Sequence, residues 1–192
     1  CDISARKAAE DALYREKELA QITLDSIGDA VVTTDAAGLV TYLNPVAKRL
    51  TGWTVTDAAG QPAEAVFRIV DESDRRQVAS PVDRVLSTGE VTGLANNTVL
   101  IARDGREFSV EDSAAPIRAR DGRIVGVVLV FRDVTHAREL ANNLSWQASH
   151  DALTELVNRR EFEKLLARLL DSARTREVRH ALLYFDLDQF KI

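Results

Sequence analysis

The chain has 192 residues, 45% hydrophobic and 29% charged, enough apolar mass for one full domain and part of another and too much for a disordered segment. A net charge of −5 and a pI near 5.3 leave no basic stripe to neutralise phosphates, which argues against a nucleic-acid binder. No apolar run approaches the ~20 residues that cross a bilayer, and no apolar leader precedes a cleavage site.

The single cysteine, Cys1, permits no intrachain disulfide and points to a reducing compartment. Methionine is absent, so residue 1 is expected to be a processed end or an internal point of a larger protein, which could be membrane-anchored upstream. Residues 2–24 alternate charges with small apolar residues. Ala5, Ala8, Ala12, Leu19 and Ile22 share one heptad seam, interrupted by Arg15. Two readings stand: a solvated amphipathic helix lying on its own domain, or a helix pairing with its copy in a dimer.

Residues 30–35 and 39–44 are β-branched-rich runs separated by Ala36-Ala37-Gly38, which reads as a hairpin. Asn44 then caps a helix that starts at Pro45, turns Val46 and Leu50 inward and stops at Gly52. The same grammar recurs with Ser80, Pro81, Val82, Val85, Leu86 and Gly89, with shorter turns expected around Asp57 and Glu64. From Glu90 the pattern returns to strands. Asp104-Gly105 and Asp121-Gly122 mark tight turns whose residues are expected at positive φ, giving a three-stranded meander. Its last run, 124–131, is apolar on both faces apart from Gly126 and should be the best-covered strand.

These residues resemble the PAS family of sensor domains. The carrying segments are 25–53, which ends in Asn-Pro-Val-Ala-Lys-Arg-Leu-Thr-Gly-Trp, and the strand 125–135 with its Asp133-Val134-Thr135 exit. The resemblance implies an α+β PAS fold over residues 24–135: a five-stranded antiparallel sheet with short helices on one face and a cavity between them. It also implies that Asp133 and Thr135 couple the last strand to the outgoing helix. A carboxylate and a hydroxyl at a helix start can satisfy orphan N–H groups, so each can equally be a cap and nothing more.

For the cavity, exclusion goes further than assignment. His136, His150 and His180 all lie outside the PAS core and methionine is absent, which argues against a His-ligated haem. Cys1 is the only thiol, which argues against a flavin trapped as a thiol adduct. A noncovalent flavin, another small organic ligand and an empty core remain. Tyr42, Trp53 and Phe67 could line a pocket, but core packing is the preferred reading.

Beyond the sheet, Val134, Ala137, Ala141, Leu144 and Ala148 form a 3-4-3-4 seam, expected to be a coiled-coil linker over 136–150. Then come 149–162, an amphipathic helix carrying Phe162, Leu165, Leu166, Leu169, Leu170 and Ala173, and an apolar run, 181–185, that reads as a strand covered on both faces. Asp-x-Leu-Thr-x-Leu-x-Asn-Arg-Arg followed by Asp-Leu-Asp-x-Phe-Lys resembles the opening of a GGDEF (diguanylate cyclase) domain, so 151–192 is expected to be an incomplete α/β piece. One departure stands out: Glu155 occupies a position where the family commonly has Gly, which puts the local turn in doubt.

By that resemblance, Asp186 and the backbone carbonyl of Leu187 would bind Mg²⁺, supporting phosphoryl chemistry on GTP in a complete domain. The signature GGDEF turn is not among these residues, so the segment itself is expected to have no cyclase activity, and residues after about 150 are expected to be poorly packed. The whole reads as a helix (1–23), a PAS sensor (24–135), a linker (136–150) and the start of a GGDEF domain (151–192). The function expected is a homodimeric, cytoplasmic bacterial input module that controls a cyclic di-GMP output. A phosphodiesterase parent with a regulatory GGDEF domain, or a ligand-free dimerisation scaffold, are the alternatives.

Overall fold

Three turns built alike set out the sheet in the computed structural model, which describes residues 3–93, 97–176 and 178–185. At Asp35–Gly38, Ala102–Gly105 and Ala119–Gly122 the glycine N–H donates to the carbonyl three residues back, at 3.1, 2.9 and 2.9 Å. Only the glycines are left-handed, at φ 78°, 85° and 85°. This departs from the two-residue turn expected at the Asp-Gly pairs: the aspartates keep negative φ and instead accept the N–H groups of Arg106 and Arg123 through their carboxylates, both at 3.1 Å.

The strands are β1 (Ala30–Asp35), β2 (Val40–Leu43), β3 (Ile69–Asp71), β4 (Thr92–Gly93), β5 (Thr98–Ile101), β6 (Glu107–Arg118) and β7 (Ile124–Asp133). They form one antiparallel sheet in the order β2-β1-β7-β6-β5-β3, with β4 paired to β6. The five strands expected are present, and two more join them: β3 on β5, with Ile69 opposite Leu100, and the two-residue β4. Runs of two or three residues are too short to show alternation, so neighbouring strands create them.

Helix α1 (Ile3–Asp25) precedes the sheet, and α2 (Pro45–Thr51), α3 (Val55–Ala58), α4 (Ala63–Val66) and α5 (Pro81–Thr88) follow the first hairpin. The caps of α2 and α5 match their sequence signals: Asn44 and Ser80 accept N–H groups of the first turn, and Gly52 and Gly89 end the helices at φ 74° and 70°. Ala47, Leu50, Ala63, Val66, Val82 and Val85 pack from these helices onto Val32, Leu100, Val110, Leu129 and Phe131 of the sheet. Each fully buried Val or Leu contributes about 1.5–3 kcal/mol.

β7 lies between β1 and β6 and is buried at Val127, Leu129 and Phe131. Its other face, with Val128 and Val130, is only partly covered, and Val125 near the start of the strand is exposed, less cover than its apolar composition predicts. Gly126 is required by closeness: a Cβ there would lie 2.0 Å from the Thr34 carbonyl oxygen on β1.

The chain divides into two compact units, one ending at Arg138 and the other beginning at Glu139. Helix α6 (Thr135–Ser149) runs across that boundary with no buried residue, and Leu140 and Leu144 stand in solvent. Val134, expected as the first seam position, is instead buried immediately ahead of the helix. In the second unit, α7 (Arg159–Arg176) lines a groove of about 200 Å³ with Phe162, Leu165, Leu166 and Leu169, which His180, Ala181 and Leu182 border. Residues 181–185 have no regular secondary structure, contrary to the strand expected there. A strand needs ladder partners, and no neighbouring strand is present among the described residues of this unit.

Candidate functional site

The geometry concentrates where chain segments join the sheet. At the outgoing end, the Asp133 carboxylate accepts the Thr135 N–H at 2.9 Å, a short cap closed within the Asp-Val-Thr tripeptide. The Thr135 hydroxyl acts elsewhere: it accepts the Ser109 N–H of β6 at 2.9 Å, while the Val134 N–H donates to the Ser109 carbonyl at 2.8 Å. Both backbone groups of one β6 residue are therefore held by the first residues of the outgoing segment. Arg138, in the first turn of α6, faces the Glu72 carboxylate at 3.7 Å, and Glu72 is itself fixed by donating its N–H to the Asn97 carbonyl at 2.9 Å. Sequence reading singled out Asp133 and Thr135; Ser109, Arg138 and Glu72 join them only through the fold.

At the incoming end, Asn44 does more than cap. Its Oδ1 accepts the Ala47 N–H at 2.9 Å and the Val31 N–H of β1 at 3.0 Å, and its Nδ2 donates to the Asp29 carbonyl at 2.9 Å. The amide is completely buried. Two residues earlier, the Tyr42 hydroxyl donates to the carboxylate of Asp25, the last residue of α1, at 2.5 Å. Burial, and then the neighbouring carboxylate, push the Tyr42 phenol well above its ordinary value, so it stays a donor. Of the N-terminal seam, Leu19 and Ile22 are 66% and 55% exposed, and the side chains of Ala5, Ala8 and Ala12 lie outside those described.

The three aromatic residues weighed as pocket lining separate. Phe67 is core, its ring 4.6 Å from that of Phe131. Trp53 is half-buried beneath the Arg103 guanidinium, 4.5 Å from the ring centre, and Arg103 also pairs with Asp57 at 2.8 Å. Tyr42 is the tether just described.

In the second unit the motif 151–158 folds as one capped turn. The Asp151 carboxylate accepts the Thr154 and Leu153 N–H groups at 3.0 and 3.2 Å and the Thr154 hydroxyl at 3.0 Å, which hold its pKa below the usual carboxylate value. Asn158 donates to the Ala148 carbonyl at 2.8 Å and caps α7 by accepting the Glu161 N–H at 3.0 Å. Glu155, the departure from the family's glycine, adopts the glycine-like left-handed conformation at φ 57°, so the turn survives the substitution. Asp186 and Leu187, expected at a Mg²⁺ site, lie outside the described residues.

Comparison with known proteins finds two families in succession along the chain. The PAS fold family matches residues 20–134, and the diguanylate cyclase GGDEF domain matches residues 148–192. The chain is 42% identical over 192 residues to the probable diguanylate cyclase DgcE of Escherichia coli, covering 99% of this chain and 17% of that protein. It is 31% identical over 180 residues to the cyclic di-GMP phosphodiesterase PdeB of Shewanella oneidensis, covering 94% of this chain and 20% of that protein. The chain thus spans a fifth or less of the length of these relatives. The crystal structure of the PAS domain of an HTR-like protein from Haloarcula marismortui superposes with a TM-score of 0.50 at 18% identity, over 66% of this chain and 98% of that one.

Proposed function

The chain belongs to the PAS fold family and continues into the opening of a GGDEF domain, and from that premise we propose that it is the input module controlling the cyclic di-GMP output of a larger protein. The observation that carries this reading is the lock at Ser109, where β6 is held by the first residues of the segment that becomes α6. A change in the sheet alters the start of the outgoing helix directly. The exposed Leu140 and Leu144 of α6 then provide the face on which two copies pair, so that dimer geometry is the controlled quantity.

The 42% identity to a probable diguanylate cyclase favours a cyclase parent acting on GTP; the 31% identity to a phosphodiesterase supports the second reading, in which the GGDEF domain regulates hydrolysis of cyclic di-GMP. Alone, the 192 residues are expected to make no cyclic di-GMP from GTP. An absorption spectrum with a native mass spectrum tests for a bound flavin or another small organic ligand.

The deciding experiment places Thr135→Val in the full-length protein and measures cyclic di-GMP turnover. Coupling free energies of the usual size predict a change of roughly fivefold or more in the basal rate. Unchanged turnover, or a strictly monomeric chain in sedimentation at high concentration, overturns the reading.

A further inference from the structure

The helix entering the sheet and the helix leaving it meet neighbouring strands at the same end. Ala30, the first residue of β1, is paired with Phe131 of β7, three residues before Val134, and Val31 is paired with Val130. Asn44 holds this end on the incoming side. A helix cap needs only the Oδ1 of such a residue, and Ser or Asp would cap α2 as well. The Nδ2 of Asn44 has a separate task, facing three carbonyls: Asp29 at 2.9 Å, Leu24 at 3.3 Å and Ile27 at 3.5 Å.

Leu24 belongs to the last turn of α1, and the other two lie in the connection to β1. An amide, with a donor and an acceptor on one planar group, is the side chain that can tie the end of α1, the start of β1 and the start of α2 to one point. Tyr42 adds a second tie to the same helix end through Asp25.

We propose that Asn44 and Tyr42 form an incoming joint matched to the outgoing joint at Asp133–Thr135, so that a displacement of α1 is relayed to α6 through the β1–β7 pair. The domain then transmits position from one flanking helix to the other. The path is short: Asn44 Oδ1 holds the Val31 N–H, Val31 lies opposite Val130, and three residues beyond Val130 the Asp133 carboxylate caps Thr135. This rests on the proposed function only in taking α6 as the outgoing element.

The test is hydrogen exchange, read by mass spectrometry or NMR, on the 192-residue chain carrying Asn44→Asp. The variant keeps the oxygen that caps α2 and turns the donor into an acceptor facing three carbonyls. Ser26 and Ile27, whose N–H groups bond to Ile22 and Leu24, should exchange about tenfold faster, while Lys48 and Gly52 of the α2 segment are unchanged. Val134 and Arg138 at the outgoing joint should exchange about threefold faster or more. Loosening of α2 together with α1 would make Asn44 a general stability residue and overturn the proposal, as would unchanged exchange at Val134 and Arg138.

Tyr42→Phe leaves the α2 cap intact and should give the same pattern at Ser26 with about a twofold effect; no change there removes Tyr42 from the joint. Because no output domain enters this measurement, independence of the two joints and loss of cyclic di-GMP control register separately.

Discussion

Residues 124–131 and residues 181–185 are both apolar runs rich in strand-forming side chains, and they end in opposite states. The first becomes β7, paired on both edges, with Val127, Leu129 and Phe131 buried. The second takes no regular structure, and Leu183, Tyr184 and Phe185 are 75%, 91% and 83% exposed. An apolar run states what a segment needs, while its ladder partners decide whether the need is met. The same contrast runs through the whole chain: the buried hydrophobic residues among those described all lie between Ala30 and Val134.

The largest test of that contrast is truncation of one aromatic ring in each run. Phe131→Ala should lower unfolding free energy by about 3–5 kcal/mol, because it empties the site against Phe67, whereas Phe185→Ala should stay within about 0.5 kcal/mol. Urea denaturation of the two variants measures the gap, and equal losses would mean that 181–185 is packed.

A smaller effect is expected in the turn of the second unit, where local chemistry substitutes for a core. Glu155→Gly relieves a left-handed non-glycine residue and should stabilise the turn by about 1 kcal/mol, seen as slower exchange of the Asp151 N–H that bonds to the Leu156 carbonyl. Faster exchange would show that Glu155 itself contributes.

The smallest is a pH response. The bonds from Thr154 and Leu153 lower the Asp151 pKa, so their contribution is present above the ordinary carboxylate value of about 4 and is lost as pH falls through the lowered one. The Thr154 amide should lose protection only in that acid range, and Asp151→Asn should abolish the dependence.

What sequence alone conveyed followed the range of each interaction. Helix starts at Asn44 and Ser80 and stops at Gly52 and Gly89 were legible because a cap is completed within three or four residues. The Asp133 cap on Thr135 was legible for the same reason. The bond from Ser109 to Thr135 spans 26 residues and the bond from Asn44 to Asp29 spans 15, so neither leaves a local pattern. β3 and β4 exist because β5 and β6 offer them edges. The strand expected over 181–185 rests on apolarity, a property that carries no information on what lies alongside.

The two tryptophans of the chain fall one in each unit, and their surroundings differ. Trp53 sits half-buried beneath the Arg103 guanidinium, while Trp146 is 44% exposed and stacks on the His150 ring with 4.5 Å between centres and 7° between planes. Indole emission shifts to the red as water reaches the ring, so the pair provides two spectrally distinct optical reporters without any label. With Trp146→Phe the indole signal comes only from the first unit, and with Trp53→Phe only from the second, which lets each unit be followed separately in its own variant.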